Sequence, residues 1–70
     1  MKSSFADRLK ELRIEAGLTQ KQLSIELDGR IDQSSIARWE SGTREPLLDA
    51  VIILAEYFGV TVGYIAGVED

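Results

Sequence analysis

Between Gly17 and Gly42 the chain reads GLTQKQLSIELDGRIDQSSIARWESG, and two helix-start signals sit inside this block, each followed by a turn signal. Thr19 with Gln22 three residues on has the spacing of a capping box, in which side chain and backbone satisfy each other's free groups. Leu23 and Leu27 then form an apolar seam one turn apart, so a helix is expected over about Gln20 to Leu27. Asp28-Gly29 marks a turn. Asp32 can cap the next helix, whose seam is Ile36 and Trp39 and whose stop is Gly42. Two short helices joined by a turn are the consequence, and the second, over about residues 33–41, turns Gln33, Ser34, Ala37, Arg38 and Ser41 to its polar side.

The flanking segments read the same way. Ser4 and Asp7 repeat the capping spacing, and Phe5, Leu9, Leu12 and Ala16 recur on one face of a first helix that ends near Gly17. Pro46 suits a helix start, and Leu48, Val51, Ile52, Ala55 and Phe58 form a broad stripe up to Gly59. Thr61 caps a last short helix through about Ala66. No strand period persists and the linkers are short, so residues 1–70 are expected to make one all-α domain of five helices. With 70 residues and neither Cys nor His, there is no disulfide or zinc to staple a small core. Stability must come from helix packing or dimerisation.

Composition removes several classes. A hydrophobic fraction of 44%, spread along the chain, argues against disorder. No run approaches the roughly 20 apolar residues of a membrane span, so no membrane partner is expected. The start, Met1 to Asp7, lacks the apolar centre of a secretory signal, which points to a cytoplasmic protein. Without His, Cys, a glycine-rich phosphate loop or a carboxylate pair with reason to be desolvated, neither an enzyme nor a metal or other cofactor is expected. Ser34 and Ser35 have no evident base.

The net charge is −4, which by itself opposes binding to phosphate. Its distribution is uneven. Residues 20–44 balance Lys21, Arg30, Arg38 and Arg44 against Glu26, Asp28, Asp32 and Glu40, whereas residues 45–70 hold five acids and no base. The polar face of the 33–41 helix is therefore left on the less acidic part of the chain, and side chains of this kind on the second of two such helices fit a DNA groove.

In order and spacing, several further residues resemble the DNA-binding domains of the Cro/CI phage-repressor family of helix-turn-helix proteins. They are Leu12-Arg13, Gly17-Leu18-Thr19-Gln20, Leu23, Ser35 to Gly42, Pro46, and Leu54-Ala55 before Gly59-Val60. The resemblance covers nearly the whole chain, with the motif itself at about residues 19–42. It implies a sequence-specific transcriptional regulator that places Gln33, Ser34 and Arg38 against base edges in the major groove. Gln can pair adenine N6 and N7, and Arg can pair guanine O6 and N7. It implies phosphate contacts from Gln20, with Lys21, Ser41, Thr43 and Arg44 around the groove. The segment from Leu27 to Ile36 is longer than is usual in the family, which implies either that Arg30 reaches a phosphate or that the third helix is tilted and the set of side chains reaching bases is altered. Arg13 and Glu40 match a structural ion pair rather than a DNA contact.

The partners implied are double-stranded operator DNA and a second copy of the chain on a palindromic site. Ile25, Ile53 and Tyr57 are apolar where the helical pattern leaves side chains exposed, which marks them as a protein interface. With the acidic C-terminal third they support an alternative, an antirepressor that binds a phage-type repressor and alters its operator binding.

Overall fold

A computed structural model describes residues 4–69. Met1 to Ser3, read above for a secretory signal, and Asp70, counted among the acids, lie outside the described residues. Five helices follow one another: α1 Phe5–Glu15, α2 Gln20–Glu26, α3 Gln33–Glu40, α4 Leu48–Phe58 and α5 Val62–Ile65. No strand occurs among the described residues. No helix there is long and apolar enough to cross a membrane.

The starts follow from local chemistry. Ser4, Thr19, Asp32 and Thr61 each accept a hydrogen bond from the backbone N–H three residues on. At Thr19 the box is complete, because the Gln22 side chain also accepts from the Thr19 N–H at 2.8 Å. These bonds satisfy amides that a helix leaves free in its first turn. Gly59 ends α4 with φ +69°, a left-handed conformation that glycine adopts without a Cβ clash, and lets Val60 N–H reach back to the Ala55 carbonyl.

Leu9, Leu23, Leu27, Ile36, Leu54 and Ile65 are fully buried and bring all five helices to one core, joined by Trp39, Val51 and Ala55. Phe5 meets Trp39 edge-to-face at 6.1 Å. α3 packs on α1 and α2, while α5 ties α4 back to α1. Arg8 reinforces that closure, donating to the Tyr64 and Glu69 carbonyls at 2.8 and 3.1 Å with its guanidinium over the Tyr64 ring.

The structure corrects the apolar stripes in three places. Ala16 is the exposed C-cap of α1 and lies outside its seam. On α4 the core takes Val51, Leu54, Ala55 and Phe58, leaving Leu48 67% and Ile52 39% exposed. Ile53, expected to stand free, is half-buried against the core. The cause is shared: Ala50 to Ala55 is apolar at every position, so its periodicity does not define a face. Docking against the other helices does.

Candidate nucleic-acid interface

The frame of the site is a buried tie at the end of α3. Glu40 accepts from Arg13 Nε at 2.7 Å and Arg13 Nη2 at 2.9 Å, one on each carboxylate oxygen, and the two side chains are only 5% and 12% exposed. A third donor, Gln20 Nε2, reaches the same carboxylate at 3.1 Å, and Arg13 Nη1 donates to the Leu18 carbonyl. The cluster pins α1, the start of α2 and the end of α3 to one another. The Glu40 bonds hold the Arg13 guanidinium charged, raising its pKa further above an already high value.

The segment between α2 and α3 is built as firmly. Asp28 (φ +57°) and Gly29 (φ +74°) are both left-handed, so the chain reverses at once after α2. Ile31 then drops into the core at 6% exposure, and Ser24 Oγ donates to its carbonyl at 2.7 Å. Arg30 Nε donates to the Leu27 carbonyl at 3.1 Å while the side chain remains exposed. The extra length is thus absorbed by a plugged turn. Sequence reading missed Ile31 because a single apolar residue inside a turn has no period.

On α3, residues are about 100° apart around the axis, so Ile36 and Trp39 face the core and Ser34 and Ser41 point directly away, flanked by Gln33 and Arg38. Gln33, Ser34, Arg38 and Ser41 are exposed, and Ala37 between them is half-buried. The small Ala37 leaves the middle of this face low. Asp32 accepts from Ser35 N–H at 3.1 Å and from Ser34 Oγ at 3.0 Å. Hydrogen bonds from Ser35 foremost, then from Ser34, hold its carboxyl below the ordinary range. Ser34 therefore lends its proton to the cap and turns lone pairs outward.

Just past α3, Ser41 Oγ donates to the Arg38 carbonyl at 3.0 Å and lies 2.7 Å from Thr43 Oγ1. Thr43 and Arg44 backbone amides reach the same carbonyl. The segment carrying Arg44 is thereby folded back over the end of the helix. Lys21, Arg30, Arg38 and Arg44 are all exposed, and Arg13–Glu40 is the only salt bridge among the described residues. The cations of this half thus face solvent without carboxylate partners, while Arg8 and Arg13 serve internal contacts.

Of the residues expected at a protein interface, Ile25 is 62% exposed and Tyr57 37%, with the Tyr57 hydroxyl donating to Glu26 Oε1 at 3.1 Å. Burial and that bond raise the Tyr57 pKa. Ile53 does not join them on the surface. The Gln20–Glu40 bond, also unforeseen, spans α2 and α3 and has no local sequence signal.

The helix-turn-helix family model matches residues 9–65, which takes in every element of this frame. The chain belongs to the helix-turn-helix family. Among its relatives, the HTH-type transcriptional regulator YobD of Bacillus subtilis is 36% identical over 94% of this chain and 57% of that protein. The HTH-type transcriptional activator BcrR of Enterococcus faecalis is 30% identical, again over 94% of this chain but 31% of that protein. The chain therefore spans little more than half the length of one and under a third of the other. A solved structure, the S. venezulae BldD DNA-binding domain, superposes with a TM-score of 0.79 over 89% of this chain and 90% of that one. At 22% identity, that likeness establishes the shared helical fold.

Proposed function

We propose that this chain is a sequence-specific DNA-binding transcriptional regulator of the phage Cro/repressor type, with α3 in the major groove. The observation that carries the reading is the outward face of α3. Ser34 stands opposite the buried Ile36–Trp39 seam with Gln33 and Arg38 flanking it, and the exposed cations Lys21, Arg30 and Arg44 belong to the elements around them. Gln33 and Arg38 would read adenine and guanine edges, and Ser34 would offer its lone pairs to a base amino group. Lys21, Arg30 and Arg44 would hold phosphates, with Gln20 presenting its remaining amide hydrogen and Ser41 and Thr43 closing the rim after small hydroxyl rotations. The relatives' names, a transcriptional regulator and a transcriptional activator, support a role in transcription.

One such module covers few base pairs, so two copies on a palindromic site, with half-sites about 34–36 Å apart, would supply specificity. The setting is the cytoplasm of a bacterial cell, where operator DNA lies. The antirepressor alternative rests on the acidic C-terminal third together with Ile53 and Tyr57, and with Ile53 half-buried the apolar part of its surface is reduced to Tyr57 and Ile25.

The test is selection of duplexes from a random pool, followed by fluorescence anisotropy on the winner. A selected palindrome, bound with an affinity that falls steeply with salt and by roughly 5–150-fold on Arg38→Ala, is the expected result. Failure to enrich any sequence, or an Arg38→Ala protein that binds the winner as well as the parent, would refute groove reading by α3.

A further inference from the structure

α4 is the exception among the five helices. The others begin with Ser4, Thr19, Asp32 or Thr61 accepting an amide, but α4 begins at Leu47, which makes no side-chain cap bond and is 76% exposed. Leucine is among the poorest residues for that position, so helix formation does not account for it. Leu48, next in line, is 67% exposed, and Ile52, one turn further along the same face, is 39% exposed. Leu48 and Ile52 lie one turn apart outside the core, and Leu47, at the cap just before them, lengthens the exposed apolar surface into a ridge.

Carboxylates border this ridge. Asp49 lies three residues before Ile52 and Glu56 four after it, so both neighbour Ile52 on the helix surface, and Glu45 precedes Leu47. All three acids are exposed and none forms a salt bridge among the described residues. From Glu45 to Glu69 the chain has no Lys or Arg.

We propose that the Leu47–Leu48–Ile52 ridge is a docking surface for a cationic amphipathic helix of a partner protein. Apolar side chains at i and i+4 form the kind of ridge that fits the groove of a second helix. The acidic border selects the charge of that helix, because lysines or arginines flanking its apolar stripe meet Asp49 and Glu56 at the rim, where charge governs partner choice and encounter rate. A second copy of this chain is a poorer occupant: a two-fold contact brings the Asp49 and Glu56 carboxylates of both copies to one seam, against which the nearest base in sequence is the single Arg44 before Glu45. The ridge involves none of the residues assigned to DNA, so the inference stands apart from that reading.

The probe is a fluorescein-labelled synthetic helix of leucine and lysine in amphipathic pattern, with a counterpart carrying glutamate for lysine, titrated with the full chain by anisotropy. The lysine peptide is expected to bind and the glutamate peptide to fail. Leu48→Asp, which removes apolar surface while adding a carboxylate, and the double variant Asp49→Asn/Glu56→Gln, which keeps the apolar ridge, should each weaken binding by roughly tenfold or more. Ile14→Asp, at an exposed apolar position on α1, should leave it unchanged, and circular dichroism of each variant confirms folding. Lysine-peptide binding untouched by Leu48→Asp, or weakened as much by Ile14→Asp, overturns the proposal. So does a self-associated dimer in sedimentation that Leu48→Asp dissolves, since the ridge would then belong to a second copy.

Discussion

Arg13 and Glu40, 27 residues apart, meet in a two-pronged pair in which each carboxylate oxygen accepts one guanidinium hydrogen at 2.7–2.9 Å, nearly out of contact with water. Charge pairs of this geometry are stable as pairs and costly as halves. Because Gln20 shares the carboxylate, the pair also sets how α2 meets α3.

Glu40→Ala should therefore destabilise the domain by about 3 kcal/mol, and Arg13→Ala by a similar amount, while Arg13→Met/Glu40→Leu together should lose much less. Urea unfolding of the four proteins gives the coupling directly. Additive single losses would show that the charges act independently.

Leu54 and Leu48 lie on one helix, yet only Leu54 is fully buried. Leu54→Ala should cost about 2–5 kcal/mol and Leu48→Ala less than about 0.5 kcal/mol. Thermal unfolding distinguishes them, and equal losses would mean that α4 is rotated from the orientation described.

Lys21 is exposed and forms no salt bridge among the described residues. If it neutralises a phosphate, Lys21→Ala should lower affinity for the selected palindrome and for unrelated duplex by similar factors, and reduce the slope of log K against log salt by about 0.9. An unchanged slope would remove Lys21 from the contact set.

Asp32 caps α3 in its ionised form, and its carboxyl is held below the ordinary value of 3.8 by Ser35 and Ser34. A carboxyl that releases its proton more readily when folded adds stability above the unfolded value, and that stability disappears as pH falls through the folded midpoint. The melting temperature of the parent should thus drop on acidification toward and below that range more steeply than that of Asp32→Asn, whose amide oxygen still caps without titrating. A carboxyl resonance of Asp32 with a midpoint at or above 3.8 in an NMR titration would contradict this.

The helices themselves were legible residue by residue. Ser4, Thr19, Asp32 and Thr61 mark four of the five starts, and Gly59 marks the end of α4, because capping is chemistry between groups three or four residues apart. The seams Leu23–Leu27 and Ile36–Trp39 were legible for the same reason, and with them the polar side of α3 that the candidate site uses. α4 was different: its start lacks a side-chain cap, and its apolar run hides which face turns inward.

What the sequence determined alone is thus the set of helices, their order, and the division of α3 into a core side and a polar side, all of which depend on local geometry. Tertiary structure alone decided that Leu54 is core and Leu48 surface, that Ile31 plugs the turn, and that Gln20 shares Glu40 with Arg13. Each of these depends on which helix lies opposite, so burial and hydrogen bonding there are properties of contacts between elements distant along the chain.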